Sequence, residues 1–190
     1  DSAGVIRNLN LGLTHVMGIS MGGFISLELA IRYPELVDKL TLVATSAGGP
    51  THVNAAPEIL ALLARNDSED VETRVRRTFS QIAGPGYMDA HPADLADIVR
   101  HAQLKPMSLE SYQRQIGAVI SHNVSDRLSR ITAPTLVVHG DADPLVPYAN
   151  GQYLAAHIAG ARLLTYPGVG HLPPIEATER FNRDVAEFLG

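Results

Sequence analysis

Cysteine is absent from the 190 residues. Its absence excludes disulfides, thiolate metal sites and a cysteine nucleophile, and it fits a reducing, cytoplasmic setting. Runs of basic residues are absent too: 15 Lys and Arg stand against 20 Asp and Glu, a formal net charge of −5. That balance argues against nucleic acid or an anionic membrane as a partner. No apolar run reaches the ~18 residues of a membrane span. No secretory signal pattern is visible. Asn66-Asp67-Ser68 and Asn123-Val124-Ser125 match the glycosylation sequon, and both read as chance, since nothing else indicates secretion. No set of histidines and carboxylates has convincing metal-ligand spacing, so neither a metal nor a cofactor is expected. Internal repeats and low-complexity segments are lacking as well.

What is present is an ordinary globular composition, 45% apolar, at a length that fits one domain with a sizeable core. Residues 3–11 read as a helix. Residues 14–19 (THVMGI) read as a short buried strand, and Met21 to Tyr33 as a helix closed by Pro34. Phe24, Ile25, Leu27, Leu29 and Ile31 surround that helix almost completely, which predicts its burial. Residues 39–45 (KLTLVAT) form another strand, ended by Ala47-Gly48-Gly49-Pro50. From 51 to 130 no convincing strand occurs. Three helical stripes replace it: Val71, Val75, Phe79 and Ile82; Leu95, Ile98, Val99 and Ala102; Leu109, Tyr112, Ile116, Val119 and Ile120. These are read as core packing, punctuated by Pro57, Gly84-Pro85-Gly86, Pro92 and Pro106. Alternation then returns, with strands at 134–139 and 161–166 and helices at 147–158 and from about Pro174. Strands alternating with helices predict an α/β fold with a mostly parallel sheet covered on both faces. Residues 1–50 and 131–190 make its core, and 51–130 a helical insertion.

Within that frame, residues 16–23 read VMGISMGG. A strand that enters a helix through G-x-S-x-G makes a turn tight enough to strain the serine backbone. Gly18 and Gly22 remove side chains that would clash there, and Gly23 lets the helix approach. Ser20 is then held proud of the sheet edge at a helix N-terminus, with the Met21 amide aimed at the same space. The pattern by itself also fits a tight turn with an ordinary serine. A serine nucleophile needs a base, and the base an orienting carboxylate. HGDADPLVP (139–147) follows one strand and GVGHLP (168–173) the next, and loops at the carboxyl ends of parallel strands build the sites of open α/β sheets. Asp143 is the candidate acid, with Asp141 the alternative, since it sits near enough to the strand to bond local amides instead. His171 is the candidate base. The other histidines lie in predicted strands or helices, or in the insertion.

Gly18-Ile19-Ser20-Met21-Gly22-Gly23, then ITAPTLVVHGDADPLVP (131–147), then Gly168-Val169-Gly170-His171-Leu172, taken together, resemble the α/β-hydrolase fold, in its order nucleophile, acid, histidine. Residues 51–130 match that family's variable cap. Within the family the pattern is similar to 3-oxoadipate enol-lactonases and small esterases. The resemblance implies a Ser-His-Asp triad of Ser20, His171 and Asp143, with Met21 in the oxyanion hole and a small-molecule ester or lactone as substrate. Serine at the elbow argues against the epoxide and halide chemistries of family members with aspartate there.

The family's sheet has about four strands before the serine strand, and a His-Gly loop among them supplies a second oxyanion donor. The only His-Gly here is His139-Gly140, already in the acid loop. The resemblance therefore implies that about 80 to 100 residues are absent, a domain-scale estimate. It also implies that the edge of strand 14–19 is bare, so that the missing amino-terminal segment, attached or as a separate chain, would be a partner. Alternatives on the same frame are C–C bond hydrolysis of a diketone, cofactor-free perhydrolysis, or a ligand-binding member of the fold without turnover.

Overall fold

A computed structural model describes residues 1–65, 68–104 and 107–190. Asn66 and Asp67 of the first sequon, and Pro106, lie outside the described residues. Four strands form one parallel sheet in the order β1-β2-β3-β4: β1 Thr14–Ile19, β2 Val37–Val43, β3 Thr135–Gly140 and β4 Arg162–Tyr166. Helices α1 (Ser2–Asn8) and α2 (Met21–Arg32) flank β1 in sequence. Between β2 and β3 come α3 (Pro57–Ala61), α4 (Val71–Ile82), α5 (Tyr87–Ala90), α6 (Pro92–Leu104) and α7 (Leu109–Ser121). Helix α8 (Ala149–His157) links β3 to β4, and α9 (Pro173–Glu176) and α10 (Thr178–Leu189) follow. The single final helix expected from Pro174 is two, broken at Ala177, which sits at φ −141° between them.

Successive strand side chains face opposite sides of the sheet, which divides the core in two. Leu40, Leu42 and Val137 pack with Ala3 and Ile6 of α1, Leu27 of α2 and Leu154 of α8. Val43, Leu136 and Val138 pack with Tyr166 and Phe181, against Val185 and Phe188 of α10. Every residue of β3 is buried, as a central parallel strand requires. The insertion has its own small cluster, Ala83, Met88 and Leu95, with Phe79, Ile98 and Leu172 against it. Its entry and exit are fastened side by side: Gly49 N donates to His122 O at 3.0 Å and Val124 N to Ala47 O at 2.9 Å.

Three expectations of burial do not hold. Strand β1 pairs only with β2, so it forms an edge of the described sheet, and Met17 and Ile19 are 50% and 38% exposed. Helix α2 buries Leu27, Leu29 and Ile31 but leaves Ile25 51% exposed, because it packs on the sheet by one face only. Helix α7 has no fully buried residue, and Ile120 faces outward. Apolar spacing identified these helices but not how many neighbours would cover them.

The carboxyl-terminal end of the insertion is also tied to α2 through charge. Arg127 donates from Nη2 to Glu28 Oε1 at 2.7 Å and from Nη1 to Oε2 at 3.3 Å, and Arg32 pairs with the same carboxylate. The Arg127 hydrogen bonds, against opposing desolvation, hold the Glu28 carboxyl down from 4.5 to about 2. A carboxyl depressed in the folded state stabilises the fold above its ordinary value, and that contribution is lost as pH falls through the folded value. Glu28→Gln is therefore expected to lower Tm at neutral pH and to reduce the fall in Tm between about pH 4.5 and pH 2, measured by thermal melts at a series of pH values.

Candidate active site

Ser20 is the only residue between β1 and α2, and the chain reverses around it. Its backbone lies at φ 52°, ψ −118°, the positive φ expected of a strained elbow. Such a conformation costs a non-glycine residue about 1–3 kcal/mol and persists only where neighbours over-determine it. Three hydrogen bonds do so: Ser20 N donates to Val43 O at 2.9 Å, and Ser20 O accepts from Gly23 N and from the Thr45 hydroxyl, both at 2.8 Å. A serine at a helix N-cap ordinarily spends its hydroxyl on the first-turn amides. Here it makes no capping bond. Met21 opens α2, where the first amides have no partner within the helix.

The glycines of this turn are not equivalent. A Cβ on Gly18 would lie 2.2 Å from Gly22 O and 2.4 Å from Ser26 Oγ, and one on Gly23 would lie 2.4 Å from Thr45 Oγ1. A Cβ on Gly22 would meet nothing within 4 Å outside its own helix backbone and chain neighbours. The clash expected at Gly22 is thus corrected: the close approaches fall at Gly18 and Gly23, because Gly22 is the residue whose carbonyl is approached.

The acid and the base come from the loops after β3 and β4. Those loops are laced together, Asp141 Oδ1 accepting from Gly168 N at 2.7 Å and Ala142 N donating to Val169 O at 3.1 Å. Asp141 is engaged in this bond between the two loops. Asp143 turns inward with a fully buried side chain. Its Oδ1 accepts from the amides of Leu145 and Val146, each at 2.9 Å, and its Oδ2 meets His171 Nδ1 at 2.9 Å. Burial raises the Asp143 carboxyl, but the adjacent His139 ring and the hydrogen bonds from His171 and the Val146 amide outweigh it and hold the group below its ordinary value. An ionised carboxylate only accepts, so the proton lies on His171 Nδ1 and Nε2 is left as the basic nitrogen. His171 is 4% exposed. No hydrogen bond joins its ring to the Ser20 hydroxyl, so the structure brings Asp143 and His171 into contact and leaves Ser20 at the same carboxyl edge of the sheet without that bond.

Two contributors were not foreseen. His139, fully buried on β3, donates from Nε2 to Val146 O at 2.8 Å and stands 3.5 Å from Asp143 Oδ2. Its place in a strand argues against a role, and its spacing of four from Asp143 is the available signal. Glu176 accepts amide bonds from both sides of His171, and nothing in its sequence context marks it. A cavity of about 510 Å³ adjoins the elbow at Met21 and runs between α2 and α7 along Phe24, Leu29, Val119 and His122. Among the described residues no group of three or more His, Asp or Glu could hold a metal ion, and no helix is long and apolar enough to cross a membrane.

Residues 5–178 match the family model described as the alpha/beta hydrolase fold. A 2-hydroxy-6-oxononadienedioate/2-hydroxy-6-oxononatrienedioate hydrolase of Burkholderia vietnamiensis is 31% identical over 193 residues, covering 98% of this chain and 66% of that protein. The chain thus spans about two thirds of the length of such relatives. Among solved structures, an enol-lactonase of Burkholderia xenovorans superposes with a TM-score of 0.84 at 25% identity, over 100% of this chain and 70% of its own. A meta-cleavage product hydrolase of Pseudomonas fluorescens superposes with a TM-score of 0.81 at 25% identity, over 98% and 68%.

The unequal glycines make a direct test. Gly18→Ala is expected to destabilise by about 1–3 kcal/mol through overpacking. Gly22→Ala should be neutral or stabilising by up to about 1 kcal/mol, the ordinary gain of alanine over glycine in a helix. Denaturant unfolding of the two variants measures both.

Proposed function

The chain belongs to the alpha/beta hydrolase fold family, and from that premise we propose that it is a serine hydrolase cleaving small carboxylic esters or lactones. The observation that carries this reading is the state of Ser20: its backbone is held strained by three hydrogen bonds while its hydroxyl is left out of helix capping. Ser20 Oγ attacks the carbonyl and His171 Nε2 takes its proton. Asp143 keeps the imidazole in the required tautomer and supports the charge it gains. The Met21 amide, at the positive end of α2, faces the developing oxyanion. The proton returns to the leaving oxygen, and water then releases the acyl group by the same steps. The likeness to an enol-lactonase supports the lactone substrate.

A second reading has its own support. The relative named for 2-hydroxy-6-oxononadienedioate and the likeness to a meta-cleavage product hydrolase favour hydrolysis of a C–C bond beside a ketone by the same three residues. Comparing turnover of an activated short-chain ester, a small lactone and a dicarbonyl substrate separates the two. For either, a fluorophosphonate should label Ser20 and no other residue. His171→Ala or Asp143→Asn should slow turnover about ten-thousandfold, the scale of losing one triad member. Labelling that survives Ser20→Ala, or a Ser20→Ala variant that turns over normally, refutes the proposal.

The free edge of β1 bears on partners. Among the described residues no strand pairs with its outer side, which runs beside exposed Met17 and Ile19, with Val5 and Leu9 of α1 and Ile25 of α2 also exposed. We infer that further strands of the same fold, attached or supplied as a separate chain, cover this edge and bring the second oxyanion donor. Loss of one such donor costs on the order of a hundred- to a thousandfold in rate. Residues 1–190 expressed alone should therefore associate and hydrolyse an activated ester slowly. A soluble monomer with kcat of about 10 per second or more contradicts the inference.

A further inference from the structure

We propose that Glu176 is a positioning residue for His171, clamping the base loop to the helical insertion. This rests on the reading of His171 as the base. Glu176 Oε2 accepts from Gly170 N at 2.9 Å and from Gly84 N at 2.7 Å, and Oε1 accepts from Leu172 N at 3.0 Å. Gly170 and Leu172 are the two neighbours of His171. The amide of His171 itself donates to Ile82 O at 2.8 Å. Three consecutive amides are therefore fastened, two to one carboxylate and one to the end of α4, and the same carboxylate holds the turn that follows α4.

The local sequence explains why the carboxylate reaches outward. Glu176 closes the one-turn helix α9, whose first two residues, Pro173 and Pro174, have no amide to offer. Its acceptor capacity goes instead to the loop before it and to a turn 92 residues away. The contact is backbone on backbone: a Cβ on Gly170 would lie 2.3 Å from Gly84 N, and one on Gly84 would lie 2.3 Å from Gly168 O. Apolar packing continues the same joint, since Leu172 lies against the cluster of Ala83, Met88 and Leu95. The partners of the Glu176 carboxylate are main-chain amides, so its charge is spent on geometry. Removing it leaves three amides without their acceptor and releases both sides of the loop whose ring must meet Asp143 on one nitrogen and the nucleophile on the other.

The test uses Glu176→Ala and Glu176→Gln in the full chain, with Glu179→Ala on the exposed start of α10 as control. Two readouts are taken. One is the low-field Nδ1 proton resonance of His171 in protein labelled with ¹⁵N-histidine. The other is the limiting rate and half-saturation of fluorophosphonate labelling at Ser20. Displacements of about 1 Å at a catalytic group cost up to about a hundredfold. Glu176→Ala is therefore expected to lower the limiting labelling rate about 10- to 100-fold, to leave half-saturation within about threefold, and to broaden or abolish the resonance. Glu176→Gln keeps one carbonyl acceptor and should fall between, and Glu179→Ala should match the parent. Should Glu176→Ala fail to fold, Glu176→Gln decides alone. A folded Glu176 variant with unchanged resonance and rate overturns the proposal. If His171→Ala labels as fast as the parent, the assignment of the base falls while the resonance still decides the clamp: lost in Glu176→Ala it sustains the clamp, unchanged it overturns it.

Discussion

The hydrogen bond between Asp143 and His171 is buried, and its burial governs both its strength and its demands. A carboxylate removed from water survives as an ion only if most of its lone pairs are met. Asp143 satisfies this with the amides of Leu145 and Val146 on one oxygen and His171 on the other, with the His139 ring beside it. The loop after β3 is shaped by those needs: it turns back over the strand so that a side chain from its third position points into the protein. The same ion fixes which nitrogen of His171 carries the proton. The chemistry at the opposite nitrogen therefore depends on how well one carboxylate is solvated by the fold.

Ser20 is organised by the opposite device. No charge is buried there; a peptide is forced into an unfavourable conformation and kept there by Val43, Gly23 and Thr45. Two of those three partners sit on or just after β2, so the neighbouring strand supplies the restraint. A parallel sheet suits this arrangement because its strand ends all open on one side. Strain at the first loop and a buried carboxylate–imidazole hydrogen bond between the third and fourth loops then face a common edge.

The helical insertion takes part in this edge and does not merely cover it. Its entry and exit are pinned by the bonds between Ala47–Gly49 and His122–Val124, its exit again by Arg127 on Glu28, and its middle by the His171 amide and the Glu176 carboxylate. Each tie joins it to a different segment of the core. The insertion thus borders the base loop as well as the cavity along α7.

The sequence alone determined the alternation of strands and helices, the helical character of the stretch between β2 and β3, and the order Ser20, Asp143, His171 on loops that follow strands. These depend on local signals, namely apolar period, proline and glycine punctuation, and residue type beside a strand end, and local signals are written in adjacent residues. It misjudged what depends on neighbours far along the chain. Met17, Ile25 and Ile120 are apolar by type but exposed, because burial is a property of what packs against a face. Gly22 fits the motif, yet the crowding falls on Gly18 and Gly23, because the turn brings the Gly22 carbonyl toward its neighbour. His139 beside Asp143, and Glu176 reaching 92 residues back to Gly84, were decided only by the tertiary structure. A hydrogen bond between segments that distant exists only once the sheet has brought their loops together, and no pattern in either segment encodes the other's position.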